Sequence, residues 1–292
     1  MSAGYLVFSI INSIFLVLIG LICLLPMINV FSISFSGSGP SGAGKVLFWP
    51  IDFTLDAYKF IFRNSAFAKA FLLTIERAVI GTVVSFSVTI LGAYALSKSW
   101  KYFKQRNIYM WFLFITTIFA GGMIPSYILI VDLGLHNTIW ALTLPGALNV
   151  FHIILVMNFF KRLPTELEEA ALADGASHWR ILFQIFIPIS KAVLATIILF
   201  GLVGHWNEWF HGMIYMRTGN QPLQTYLRSI LLSDRLVGEL TGNYDDMMLF
   251  NEVNTENFKA AQVFVAAFPI ICVYPFLQKH FAKGVIVGSV KG

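Results

Sequence analysis

Six apolar stretches, separated by short polar segments, dominate the chain. They run over about 5–31, 70–96, 108–131, 138–160, 190–216 and 260–281. Each reaches the roughly 20 residues an α-helix needs to cross hydrocarbon. The pattern predicts an all-α, polytopic membrane protein with six transmembrane helices. No stretch reads as a separate soluble domain and no internal repeat is visible, so 1–292 is read as a single transmembrane domain. The first stretch is expected as a retained helix. Residues 1–4 carry no positive charge, and the apolar run exceeds the usual leader core of about 7–15 residues.

Composition agrees. Hydrophobic residues make up 57% and charged residues 12%, against roughly 25% charged in soluble domains. Mean hydropathy is +0.74. These values exclude a disordered chain and a disulfide scaffold. The net charge of +5 is spread too thinly to mark a nucleic-acid partner. Cys23 and Cys272 both lie in apolar runs, where small core residues are expected, and there is no Cys/His cluster for a metal.

The cations set the orientation. Lys98, Lys101, Lys104 and Arg106 fill the loop at 97–107, and Lys161, Arg162, Arg180 and Lys191 lie between the fourth and fifth stretches. Lys279, Lys283 and Lys291 follow the sixth. The turn after the third stretch has only Asp132, and the long loop before the sixth is net acidic. The positive-inside rule therefore predicts that both termini are cytoplasmic. The first loop, with four cations of its own, fits this rule least well.

One motif invites a wrong conclusion. Residues 39–45 read Gly-Pro-Ser-Gly-Ala-Gly-Lys, most of a phosphate-binding loop, but Val46 stands where a magnesium-binding Ser or Thr belongs. An apolar span precedes it rather than a strand, and Val-Leu-Phe-Trp-Pro follows. A Gly/Ser loop with no nucleotide is expected.

The most informative polar segment is 163–188. Thr165 and Glu168 after Pro164 have the spacing of a capping box. Glu166, Glu168 and Glu169 suit a helix N-terminus, and Ala170, Ala171 and Ala173 are strong helix formers. Gly175 can end this helix with a positive φ. Ser177 can cap a second helix, and Pro188 marks a bend before the fifth stretch. Two readings fit: an amphipathic helix lying in the membrane interface, or a helix presented to a groove on a partner.

Inside the spans, polar groups point to a pathway. His205, Trp206, Asn207, Glu208, Trp209 and His211 cluster toward the outer end of the fifth stretch. Indole faces stack on sugar rings, and Asn or Glu bonds hydroxyls. Asn207, Glu208, Trp206, Trp209 and Asn149 are the candidate pathway residues. An aromatic belt with helix–helix polar contacts is the alternative. Glu76 and Arg77 read as an ion pair or as snorkelling side chains near the outer interface.

The order Glu169-Ala170-Ala171, Gly175, then Ile185 and Pro188 resembles the EAA loop of ABC-importer membrane subunits, with Ile187 in the usual Leu position. Gly122 to Tyr127, Leu133-Gly134-Leu135, Trp206-Asn207-Glu208-Trp209-Phe210 and the ending from Gln278 are similar to the carbohydrate importers of this family, including second membrane subunits of maltose, lipo-oligosaccharide and alginate importers. The resemblance implies an inner-membrane permease of a bacterium that is not itself an enzyme and binds no cofactor. ATP and magnesium would sit in partner subunits. It implies two copies of an ATP-binding subunit, a second homologous membrane subunit, an extracytoplasmic solute-binding protein and an oligosaccharide or polysaccharide cargo. Docking to the ATP-binding subunits would fall to the EAA loop through Glu168, Glu169, Ala170, Ala171, Asp174, Gly175, Ala176 and Pro188. Lys283 and Lys291 of the tail at 279–292 would join them. Glu169 would take the part of the acid that meets an Arg of the ATPase. The competing class is a secondary transporter or channel; against it stand the absence of an inverted repeat and of a buried acid relay.

Overall fold

The computed structural model describes residues 3–232 and 255–289, with side chains described as far as Val273 in the last helix. Among the described residues every regular element is helical. The chain divides into two compact units, Met1–Lys69 with Tyr226–Pro269, and Ala70–Thr225 with Ile270–Gly292.

The first unit begins with α1 (Ala3–Ser34), apolar on every side. None of its membrane-crossing window is buried. A helix with no polar face needs no protein cover in hydrocarbon, because its backbone is satisfied internally. The short α2 (Ser38–Gly42) and α3 (Asp56–Arg63) follow. The Gly/Ser stretch at 39–45 is thus a helical turn. Asn29 fixes the segment after it by donating to the carbonyls of Val46 and Leu47, at 3.2 and 2.8 Å. Asn257 donates to the carbonyls of Ile33 and Ser36, and Phe258 meets Phe60 edge-on at 5.1 Å. Both belong to the last helix, α15 (Thr255–Ser289).

The second unit is built on α4 (Ser65–Ser97), whose N-terminal turn lies in the first. It continues with α5 (Arg106–Ile118), α6 (Met123–Asp132), α7 (Ile139–Thr143) and α8 (Val150–Phe160). Then come α9 (Thr165–Ala173), α10 (His178–Ile181), a π-helical turn at Leu182–Phe186, α11 (Ile187–Ile189), α12 (Lys191–Asn207) and α13 (Phe210–Tyr215). The next helix, α14 (Leu223–Leu232), starts in this unit and belongs to the first from Tyr226 on. Its core joins Ile90, Ala93 and Tyr94 of α4 to Val156 and Phe160 of α8, and to Leu182 and Leu194. Small residues bring α4 and α12 close. A Cβ on Gly201 would lie 3.2 Å from Thr82, and one on Gly81 would lie 2.5 Å from the His205 ring. In lipid, where burial gives little advantage, such close packing is what holds helices together.

The spans differ from the expectation of six continuous helices. Among the described residues, three helices are long and apolar enough to cross a membrane, and there are up to six spans if each bent pair is one. The predicted third span, 108–131, is a pair (α5 and α6) bent by 114°. The break holds Gly122 at φ 91°, a conformation that glycine adopts without steric cost. With 13 residues, α5 is only about 20 Å long, short of the roughly 30 Å hydrocarbon core. The fourth span bends by 52° between Gly146 and Val150. The fifth stops at Asn207, opens at Glu208 and Trp209, and resumes in α13. Cys23 and Cys272 are exposed rather than in a protein core, since both lie on helix surfaces without protein cover.

Candidate functional site

The EAA segment forms a short helix held from beneath. Pro164 stands at the N-cap of α9, extended at ψ 129°, and no side chain caps the helix. The predicted capping box is therefore corrected. Thr165 is already inside the first turn, and Glu168 turns away to meet Lys98 at 2.6 Å. The C-terminus closes as predicted. Gly175 has φ 74°, its N–H donates to Leu172 O at 3.0 Å, and the Ala176 N–H donates to Ala171 O at 2.9 Å. These two bonds make a complete Schellman motif. Ser177 caps α10 through the Arg180 N–H. Pro188 lies in α11, just before the 87° turn into α12.

This geometry sorts the candidate docking residues. Glu169, Ala170, Asp174, Gly175 and Pro188 are exposed. Ala171 and Ala176 are half-buried and pack against the core of the unit. Glu168 is half-buried in its pair with Lys98. Lys283 lies in α15, beyond the described side chains, and Lys291 lies outside the described residues.

Lys98 gives α9 its anchor. It follows the last residue of α4 and is buried, with its ammonium 3.7 Å above the Tyr94 ring and 4.5 Å from the Phe186 ring. Burial pulls the ammonium below its ordinary pKa, and Glu168 opposes that shift. Two aromatic faces and one carboxylate supply the cation with the contacts that water would otherwise give. The sequence reading missed Lys98, because its Glu168 partner lies 70 residues on.

The second centre lies on the same helix. Arg77 is 1% exposed. Its guanidinium donates to the Glu208 carboxylate, to the Glu208 carbonyl at 2.8 Å and to the Leu142 carbonyl at 3.2 Å. One side chain thus joins α4, the end of α7 and the opening between α12 and α13. The Glu208 carboxylate also accepts from the His211 N–H at 2.9 Å, and so caps α13. The sequence pairing of Arg77 with Glu76, or its snorkelling, is corrected. Glu76 is exposed, and Arg77 points inward to an acid 131 residues away.

The other pathway candidates fall into two groups. Asn207 is exposed beside the opening. Trp209 is half-buried, and its carbonyl accepts from the Thr225 hydroxyl at 2.7 Å. Trp206 is buried edge-on against Phe71, 5.8 Å between ring centroids. Asn149 caps α8, its side-chain oxygen accepting from the His152 N–H at 3.2 Å. The structure brings Glu208 together with Arg77, sets Trp206 against Phe71, and places Asn149 at the start of another helix.

Comparison with known proteins shows the family. The sequence profile of the family described as "Binding-protein-dependent transport system inner membrane component" matches residues 89–287. The chain belongs to this family. It is an inner-membrane permease subunit of an ABC transport system, a transport component rather than an enzyme. Protein LplC of Bacillus subtilis (strain 168) is 40% identical over 287 residues, 98% of this chain and 95% of that protein. The polygalacturonan/rhamnogalacturonan transport system permease protein YtcP of the same organism is 38% identical over 279 residues, 95% of this chain and 96% of that protein. Among solved structures, a chain of a bacterial ABC transporter involved in the import of the acidic polysaccharide alginate superposes with a TM-score of 0.86 at 32% identity. The match covers 96% of this chain and 99% of that one.

Proposed function

We propose that this permease imports an oligosaccharide, with uronate-containing fragments the first class to test. It would work as one of two different membrane subunits above two copies of an ATP-binding subunit. An extracytoplasmic binding protein delivers the sugar. In this reading each bent pair is one span, giving six spans with both termini in the cytoplasm, and 1–292 acts as one transmembrane domain. ATP and magnesium are held by the partner subunits. The substrate class rests on the likeness to a polygalacturonan/rhamnogalacturonan permease and to an alginate transporter.

The observation that carries the mechanism is a pair of ionic contacts well separated along one helix, Arg77 within α4 and Lys98 just past its C-terminus. Lys98 and Arg77 are 21 positions apart on α4 and its end, about 32 Å along a helix and close to the thickness of the hydrocarbon core. The exposed face of α9, with Glu169, Ala170, Asp174 and Gly175, docks on an ATP-binding subunit. Closure of the ATPase dimer displaces α9. The Lys98–Glu168 pair passes that displacement to α4, and Arg77 carries it to the opening at Glu208. There Asn207 and Trp209 line the sugar path. Lys283 and Lys291 rest against the ATP-binding subunits.

The test is reconstitution of the chain with its companion membrane subunit and ATP-binding subunits in liposomes. ATP hydrolysis is measured with the binding protein and a panel of neutral and uronate oligosaccharides. Stimulation by a uronate sugar, abolished by Glu169→Ala, supports the reading. Failure of any ATP-binding subunit to associate with the intact chain would overturn it in favour of a self-coupled transporter or channel.

A further inference from the structure

An apolar groove of about 420 Å³ runs between α5 and α8. Met110, Trp111, Leu113, Phe114, Ile153 and Ile154 form its walls, and Leu96 and Asn107 close one end. Trp111 and Phe114 are among the exposed large apolar side chains. The chain neighbours of those end residues, Ser97 and Arg106, line a second hollow of about 270 Å³, where charged side chains gather among apolar ones. Lys98, Lys161, Glu168 and Glu169 share it. An apolar channel thus ends beside a charged cleft.

The charges in that cleft do not balance. Lys98 and Glu168 satisfy each other. Arg106 donates to the Lys98 carbonyl at 3.2 Å and to the side-chain oxygen of its neighbour Asn107 at 3.4 Å. Its Nε is shielded from solvent and has no partner. Among the described residues, neither Arg106 nor Lys161 forms an ion pair with a carboxylate. Glu169 is the remaining acid of the cleft, and it lies on the exposed face of α9. Burial and the adjacent Arg106 both hold the Lys161 ammonium below its ordinary pKa; an anion between the two cations would reverse the second effect. Trp100 and Tyr102, both exposed, lie on the same loop, as aromatic residues do at headgroup depth.

We infer that this foot of α5 and α8 binds one anionic phospholipid of the inner leaflet, its phosphate between Arg106 and Lys161 and an acyl chain in the groove. The chemistry fits end to end. Phosphate oxygens accept from a guanidinium and an ammonium together, and basic pockets between helices on the cytoplasmic side are suited to such headgroups. The inference rests on the orientation proposed above, which puts loop 97–107 at the cytoplasmic surface. The bound lipid would brace the loop that carries Lys98.

Native mass spectrometry of the assembled complex in detergent tests this without ATP or sugar, so its failure is distinct from failure of the import reading. The complex is offered equal phosphatidylglycerol and phosphatidylcholine, and separately inorganic phosphate. The expected result is one retained phosphatidylglycerol per chain, at least tenfold over phosphatidylcholine. Retention should fall tenfold or more in the Arg106→Gln, Lys161→Gln double variant. Leu113→Trp, which fills the groove, should weaken lipid retention and leave phosphate binding intact. If the double variant does not assemble, the competition in the unaltered complex decides alone. Equal retention of the two lipids would overturn the inference. So would displacement of the lipid by inorganic phosphate at equal concentration, or capture of the companion membrane subunit by a photocrosslinker at Trp111.

Discussion

The two ionic contacts of α4 use the same interaction in opposite ways. Arg77 spreads its charge over a carboxylate and two main-chain carbonyls from separate segments, with the side chain 1% exposed. Lys98 meets one carboxylate and lies between two rings. A guanidinium fork fixes direction as well as distance, whereas an ammonium over aromatic faces can swing. In the proposed reading the Arg77 contact is thus a clamp on a broken helix, and the Lys98 contact is a pivot beside the helix proposed to dock. A permease needs both: a pathway geometry that is held, and an input that can turn.

The largest effect should follow from breaking the clamp. Arg77→Met removes the cation from the half-buried Glu208 carboxylate, which keeps its bond from the His211 N–H; the loss is at most that of a fully buried broken pair, about 3–5 kcal/mol. The variant is expected to fail thermal-unfolding assays of the purified complex in detergent, and Arg77→Lys should not rescue it, because a point charge cannot reach both segments. The double change Arg77→Met, Glu208→Met should recover most of the lost stability. Equal stability of Arg77→Met and the unaltered chain would remove the clamp from the account.

Breaking the pivot should act on coupling more than on folding. Lys98→Met is expected to leave the complex assembled and hydrolysing ATP while sugar uptake falls at least tenfold. The ratio of uptake to hydrolysis in liposomes is the readout. Uptake and hydrolysis falling together would show that the pair supports assembly instead.

Smaller effects probe the loop itself. Gly175→Ala places a side chain at φ 74°, which costs roughly 1–2 kcal/mol. The space around it is open, with nothing within 4 Å of where the new Cβ would stand, so the penalty is conformational, and Gly175→Asn should cost less. Ser177→Ala removes the cap of α10 and should cost about 0.5–1 kcal/mol, the low end because its bond is long at 3.4 Å. Chemical denaturation of the complex checks both, and a larger effect from Ser177→Ala than from Gly175→Ala would contradict the ranking.

What was legible in the sequence followed from local rules. Gly175, Ser177 and Pro188 each dictate backbone shape within a few residues, and each does what its type predicts. The apolar stretches marked the helical segments, but hydropathy is blind to direction. It cannot register a 114° bend at Gly122, because the residues on both sides remain apolar. Both ionic contacts also escaped a linear reading. Glu168 fitted a capping box on spacing alone, but its tertiary partner lies on another helix. Arg77 stood next to Glu76, yet adjacent residues on a helix point in different directions. The available clue was Glu208 itself, an acid within an apolar stretch with no Lys or Arg beside it in sequence.

The central claim is that Lys98 and Glu168 transmit ATPase motion to α4. It is tested most directly by exchanging the two charges. Lys98→Glu and Glu168→Lys are made singly and together, and the ratio of sugar uptake to ATP hydrolysis is measured for each complex in liposomes. The account predicts that each single reversal lowers the ratio at least tenfold and that the double exchange restores a substantial part of it. A double exchange no better than the worse single variant, with all three complexes assembled, would contradict it.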